Sequence, residues 1–471
     1  MPELDQARAV IFPWKIASVL YGLSYLPLFL SANSLFWDDW LLIDRVTGKI
    51  SPSHYSSGGG APWRLFVEQT ILQSSPILFR IFSFLAFFIS GYLFFCVLRR
   101  VRFLSKNQII AATLVFLVLP VNSARIALIN NSYAFSLLLF FCGWYLLAIS
   151  ERKSIRLLSL SAFFVSYTSL AVITFTLLPI LYLIVLAEPK STKEFIKAIF
   201  RSVPLIVLPV AYLIARQIFW APAGGYAEMY TPQFLGIARA LIFITVCSLP
   251  LLYGVFIAKW RVVNTRQFLV SIGVFSVSIA AFPYMVGGHL VDISDWLIAF
   301  IPNFSDWNSR HQLTLPLGIS LIIAGSMKMD KPENLKWSTY PVLTALLAVF
   351  VLLNVTFAQE YFLDGRKQSS VIEAMGMNPD LKSVQFVLID DQAVRFNARG
   401  RLIRSYEWEK MLHKALGNDR IKVSYLQYVE CKEFKPDAIL HINAPNGRLE
   451  STLRGQVVID LSVEKIDPCS N

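Results

Sequence analysis

Apolar residues fall in long blocks separated by short polar loops. A helix needs roughly 20 apolar residues to cross the hydrocarbon core of a bilayer. The blocks predict spans near 11–31, 76–98, 109–121, 132–150, 156–169, 171–187, 203–220, 233–257, 267–285, 312–326 and 340–358. The block 156–187 holds 32 residues, too many for one crossing. Ser166, Tyr167, Thr168 and Ser169 are its most polar point, so the chain is expected to turn there. The first block contains Pro13 and Pro27 and no convincing cleavage site, and reads as a retained signal anchor.

From about residue 359 the pattern becomes that of a soluble unit. Residues 384–390, 421–425, 437–442 and 456–463 read as strands, and 367–377 and 407–417 as helices. About 110 residues suffice for an independent core. The expectation is an all-α polytopic membrane protein of about eleven transmembrane helices over 1–358, with a first outer loop at 32–75. A small extracytoplasmic α/β domain follows at 359–471.

Composition narrows the class. The chain is 55% hydrophobic and 16% charged, with a mean hydropathy of +0.54. Soluble domains carry about a quarter charged residues. A single soluble enzyme and a disordered chain are both excluded. The net charge of +12 would suggest nucleic acid in a soluble protein. Here its distribution matters more. Every second loop is basic: Arg99, Arg100, Arg102 and Lys106; Arg152, Lys153 and Arg156; Lys190, Lys193, Lys197 and Arg201; Lys259, Arg261 and Arg266; Lys328, Lys331 and Lys336. The intervening loops hold Arg45, Lys49, Arg64, Arg125 and Arg310. By the positive-inside bias the first set is cytoplasmic, the N-terminus is inside and the C-terminal domain is outside. The basic loops also hold Glu151, Glu188, Glu194, Asp330 and Glu333, so their net charge equals the whole excess. The high charge therefore reports topology and not an anionic partner; membrane lipids are expected partners and nucleic acid is not.

Candidate chemistry sits on the expected outer side. Trp37-Asp38-Asp39-Trp40 lies just beyond the first span. Adjacent carboxylates repel, which points to a substrate or cation that uses them. One of them fits a general base on an acceptor hydroxyl, with the reactive carbon presented by a lipid carrier. The same residues also fit a helix cap with tryptophan anchors at the interface. Arg80, Arg125, Arg216, Arg239 and Arg310 stand near outer span ends, against the charge bias. An arginine at membrane depth costs roughly 2.5–3.5 kcal/mol at mid-bilayer. As a set they fit the phosphate of that carrier, and singly they fit snorkelling or ion pairs. The loop 286–311 holds His289, Asp292, Asp295, Trp296, Asp306, Trp307 and His311. Aromatic faces beside acids suit a sugar ring, and an interfacial helix at 291–301 suits the same residues. His54, His289 and His311 show no ligand spacing on one element. A divalent cation such as Mg or Mn on the aspartate pair is the metal reading that remains. Cys96, Cys142 and Cys247 lie in spans, whereas Cys431 and Cys469 lie in the tail, where a disulfide is permitted.

The layout resembles the GT-C class of membrane glycosyltransferases. Ser34-Leu35-Phe36-Trp37-Asp38-Asp39-Trp40 is similar to the acidic motif of that class, and Ser309-Arg310-His311-Gln312 before Leu315-Pro316-Leu317 to a stretch ahead of a late span in bacterial members. Members often carry a His-Glu pair between spans five and six, where this chain has Tyr167-Thr168-Ser169. The resemblance implies an inverting transfer from a polyprenyl-phosphate sugar to a glycan, lipid or protein acceptor. It implies the periplasmic face of a bacterial inner membrane, in surface polysaccharide or glycoconjugate modification. An aspartate of the pair is then the base, and the five arginines hold the donor phosphate. Trp37, Trp40, His54, His289, Asp292, Asp306, Trp307, His311 and Tyr167 are then the groups toward sugar and acceptor. A lipid-linked-sugar flippase, an O-antigen polymerase or ligase, and a non-catalytic assembly protein are the alternatives.

Overall fold

The computed structural model describes residues 10–46, 60–72, 75–101, 103–187, 192–223, 227, 231–253, 265–286, 314–327, 340–418, 420–425, 436–444, 457 and 459–465. Helix α1 (Trp14–Tyr25) runs into a 3-10 turn at Leu26–Ser31, opened by Pro27. Two short helices follow, α2 (Asp39–Val46) and α3 (Pro62–Val67), the latter extended by a π turn at Glu68–Leu72. Then come α4 (Pro76–Leu98), α5 (Lys106–Val118), α6 (Asn131–Ile149), α7 (Lys153–Ser166) and α8 (Leu177–Ala187). The series continues with α9 (Thr192–Phe219), α10 (Phe234–Leu252), α11 (Thr265–Val286), α12 (Pro316–Ser326) and α13 (Pro341–Met377).

Six described helical segments are long and apolar enough to cross a membrane: Pro76–Leu98, Leu128–Ile149, Phe195–Phe219, Phe234–Leu252, Thr265–Val286 and Pro341–Met377. Lys106–Val118, Leu170–Ile184 and Pro316–Ser326 are shorter apolar helices. The remaining expected spans are helical but interrupted or polar. The break at Tyr167–Ser169 is where the sequence places it, between α7 and a 3-10 turn at Leu170–Thr176.

Helix α5 is the axis of the bundle. Its residues from Asn107 to Val118 are all buried, which suits a helix apolar on every side. Phe87 stacks on Phe116 at 5.0 Å, and Phe94, Phe140 and Phe141 continue that aromatic core. The two ends of the bundle are distinct. At one end the Arg99 guanidinium donates to the Val10 carbonyl (3.3 Å), Thr265 to that of Phe103 (3.3 Å) and Arg266 to that of Ser326 (3.0 Å). Asn107 donates to the Tyr340 hydroxyl there (2.8 Å). These contacts gather segments from the basic loops. At the other end the Ile129 amide meets Asp39, Trp63 meets Thr168, and the Phe36 ring meets Tyr361. Among these described connections, the basic ones meet at one end and the acidic motif lies at the other.

A single helix spans residue 358, where the apolar pattern ends. Helix α13 continues for 37 residues through it and ends inside the C-terminal unit. Residues 359–368 look soluble in composition, but Gln, Glu, Leu, Arg and Lys sustain a helix and no proline interrupts them. Beyond it lie β1 (Phe386–Asp391), α14 (Ser405–Leu416), β2 (Lys422–Tyr425), β3 (Ala438–Asn443) and β4 (Asp460–Lys465). The sheet order is β2-β1-β3-β4, with β1 parallel to β2 and β3, and β4 antiparallel. The four expected strands are present, each displaced by a residue or a few. Val371 and Met375 of α13 and Trp408 of α14 fill the core of this unit with Val387, Ile389 and Leu440.

Small residues let α11 and α12 touch. A Cβ at Gly318 would stand 2.8 Å from the Gly273 carbonyl oxygen, and one at Gly273 2.8 Å from that of Gly318. Membrane helices associate through such close approaches. Gly318→Leu is expected to cost about 1–3 kcal/mol through overpacking. Thermal unfolding of the detergent-purified chain checks this, with the exposed Val210→Leu as the unaffected control.

Candidate functional site

The acidic motif crosses from the bundle to the C-terminal unit. Trp37 has φ +52°, the one positive value among the described non-glycine residues. Such a conformation persists only where its surroundings fix it. The Trp37 amide donates to Glu407 Oε2 at 3.1 Å. Its ring lies 5.8 Å from that of Tyr361 and 5.1 Å from the Arg401 guanidinium. Trp40 is buried in the core of the C-terminal unit, with Lys414 5.8 Å from its ring. The two expected sugar-facing tryptophans are therefore packing residues.

The aspartates, neighbours in sequence, are unlike in structure. Asp39 is fully buried. Its carboxylate accepts the Phe36 amide (3.1 Å) and the Ile129 amide (3.0 Å), and faces Arg80 at 3.7 Å. Burial pushes its carboxyl up to about 6, against the pull of Arg80 and of the Ile129, Leu128 and Phe36 amides. Asp38 is half-buried. Its Oδ1 accepts the Tyr406 hydroxyl at 2.6 Å, and its Oδ2 has no hydrogen-bond partner among the described residues. Asp39 is an anchor, and Asp38 carries the accessible oxygen.

The arginines also separate. Arg80 is buried and spends its N–H groups on the protein. It donates to the carbonyls of Ile126 (3.1 Å), Ser31 (3.3 Å), Ala32 and Ser34 (2.6 Å) besides facing Asp39. A guanidinium has five N–H donors, and little remains for a phosphate. Arg80 is thus a staple for the chain leaving α1. Arg125 lies over the rings of Phe87 (3.6 Å) and Tyr25 (4.2 Å) and donates to the hydroxyls of Tyr21 and Tyr25. It too is built into the core. Arg239 is exposed on α10, and Arg216 is buried near the end of α9.

A second polar group adjoins the first. Ile129, whose amide holds Asp39, accepts Arg64 Nη2 on its carbonyl at 3.4 Å. Arg64 Nε donates to Glu68 Oε1 at 2.7 Å. Glu68 is 3% exposed, and its Oε2 is buried with no hydrogen-bond partner among the described residues. Trp63 donates to Thr168 Oγ1 at 2.6 Å and packs edge-on against Trp220 at 5.2 Å. Tyr212 lies 6.0 Å from Trp220 and within electrostatic reach of Arg216 and Arg64. Arg64 and Glu68 were not among the expected site residues. Their signal is the i, i+4 spacing after Pro62 in the first outer loop.

Tyr167 is placed otherwise than expected. It is fully buried, shares a hydrogen bond with Thr176 Oγ1 at 2.7 Å and packs on Tyr212, so it closes the turn below Trp63. His54, His289, Asp292, Asp306, Trp307, Arg310, His311, Cys431 and Cys469 lie outside the described residues. Among the described residues no three His, Cys, Asp or Glu side chains converge on a metal position. Asp39, with two amides and Arg80 against it, is a poor half of a cation site.

The raised Asp39 carboxyl has a stability consequence. Between about pH 4 and pH 6 the folded chain keeps a proton that an unfolded aspartate releases. Raising the pH across that window therefore costs stability. Asp39→Asn removes the dependence. Its thermal midpoint relative to the unsubstituted chain should rise from pH 4 to pH 6 and level off above; parallel curves would contradict the assignment.

No family model matches the chain, and no curated protein or solved structure matches it significantly, so the reading of this site rests on its own residues and geometry.

Proposed function

We propose that the chain is a membrane glycosyltransferase that moves a sugar, with inversion, from a polyprenyl-phosphate donor to an acceptor hydroxyl. The reading places the reaction at the outer face of a bacterial inner membrane, in surface polysaccharide or glycoconjugate modification. It takes the eleven expected segments as membrane passes, with the basic end of the bundle cytoplasmic and the C-terminal unit periplasmic. The meeting of the described basic connections at one end supports that orientation through the positive-inside bias.

The observation that carries the reading is the asymmetry of the aspartate pair. A general base needs a lone pair open toward the proton it takes. Asp38 meets that need, with Oδ1 on Tyr406 and Oδ2 unbonded among the described residues. Asp39, fixed by two amides and Arg80, holds the loop that presents it. In the reaction Asp38 Oδ2 takes the acceptor hydroxyl proton while the acceptor oxygen bonds to the anomeric carbon. The bond from that carbon to the phosphate oxygen breaks, and the polyprenyl phosphate leaves with the electron pair. The reading gives the phosphate charge to Arg216, whose charge reaches Tyr212. Arg80 and Arg125 are left out of that role because the protein itself uses them. The ring of Trp220 packs on those of Trp63 (5.2 Å) and Tyr212 (6.0 Å).

Asp38→Asn is expected to lower transfer by about 10²- to 10⁴-fold, the usual worth of a general base. The test is the mass of surface glycans in cells that carry each form of the chain. A folded Asp38→Asn protein with unchanged glycan would overturn the reading in favour of a flippase, a polymerase or ligase, or an assembly role.

A further inference from the structure

The C-terminal unit reaches into the acidic motif at several successive points. Glu407 binds the Trp37 amide through Oε2. It is itself held by Arg401, whose Nη1 donates to both its carboxylate oxygens at 2.9 Å. Arg401 Nε donates in turn to Asp364 Oδ2 of α13 at 2.8 Å. This relay of buried charge fixes the start of α14, and Tyr406 is the residue before Glu407. Ser34 sits against Gly365 of α13 so closely that a Cβ there would collide with its hydroxyl. Trp40 closes the grip from the other side, in the core with Val371 and Met375.

We propose that Tyr406 is a positioning residue of the transfer site, and that the C-terminal unit is half of that site and no detachable docking module. The proposal rests on Asp38 as the base. The Tyr406 hydroxyl has a single proton, and it is given to Asp38 Oδ1 at 2.6 Å. A donor to a carboxylate makes a short, charge-assisted bond with a preferred direction. Occupying Oδ1 fixes the rotation of the carboxylate about its Cβ–Cγ bond. It leaves Oδ2 as the oxygen that meets the acceptor proton. Burial, then the charges of Asp38 and Glu407, push the phenol up, so Tyr406 stays a donor throughout the working pH range. The backbone of Trp37 is already held by Glu407, and Trp40 by the core. The Tyr406 hydroxyl therefore adds little to the attachment of the loop, and its work is the orientation of one side chain.

The test uses the full chain in membrane vesicles from producing cells, with their endogenous lipid-linked sugars radiolabelled. Tyr406→Phe should lower the maximal transfer rate by about 10-fold, within the range a misaligned catalytic group gives. The donor level at half-saturation and the thermal midpoint should not change. The double variant Asp38→Asn with Tyr406→Phe should be no slower than Asp38→Asn alone, because residues acting as a unit are non-additive. An unchanged rate in Tyr406→Phe, or additive losses with a lowered midpoint, would overturn the positioning role. Full transfer in Asp38→Asn would instead remove the glycosyltransferase reading beneath it. A readout without turnover comes from 3-fluorotyrosine at 406 in the detergent-purified chain. Its fluorine resonance should move in Asp38→Asn, and a resonance that stays in place would show that the bond is absent.

Discussion

The Arg401 guanidinium, buried between Asp364 and Glu407, is the contact on which the site depends. It joins the long helix α13, the start of α14 and, through Glu407, the backbone of Trp37. Burying three charges is expensive, and such a cluster is weak evidence for net stability. Its value here is registry. An apolar replacement of similar volume would fill the space and leave the Trp37 amide without its acceptor. Breaking the cluster by removing one partner strands a buried charge, at about 3–5 kcal/mol. The same cluster shapes the electrostatics around it. Burial opposes the Arg401 charge, but Asp364 and Glu407 outweigh it and hold the guanidinium protonated.

Strain follows from that registry. A tryptophan at positive φ would relax if the chain were free. The hydrogen bond to Glu407, the ring contacts with Tyr361 and Arg401, and the burial of Trp40 remove that freedom. The turn they impose points Asp38 and Asp39 in different directions. One enters the bundle toward Arg80 and Ile129, and the other meets Tyr406. Two identical residues thus acquire different surroundings from a single backbone kink, one buried among backbone amides and one against a phenol.

Most of the bundle was legible from the sequence because its signals are periodic and local. Apolar blocks, basic loops and the polar break at Tyr167–Ser169 each need only a short window to be seen. The strands of the C-terminal unit were legible for the same reason. What escaped depends on partners distant in the chain. The arginines stood out by charge bias, yet Arg80 binds backbone carbonyls, which every residue carries and no sequence distinguishes. Arg125 binds ring faces, and rings are abundant throughout this chain. Asp38 and Asp39 could be told apart only by Tyr406 and Ile129, which are 368 and 90 residues away. The continuity of α13 past 358 was not legible because Asp364, Lys367 and Gln368 look like surface. They are buried against the C-terminal unit, where Lys367 meets Asp391 and Asn397 at 2.7 Å each.

That uninterrupted helix changes what the C-terminal unit can be. A linker at 358 would let the unit move independently of the bundle, and a site shared between them would be open most of the time. A rigid helix of 37 residues, about 55 Å long at 1.5 Å per residue, carries the apolar segment and the Asp364 anchor in one body. Asn354 of the same helix donates to the Val118 carbonyl at the end of α5, and Gly365, three turns on, receives Ser34. The bundle axis and the acidic motif are thereby referenced to one rod. Tyr406 reaches Asp38 because that rod sets the height of α14 above the bundle, so the carboxylate is oriented from a helix that also carries the ring against Trp37.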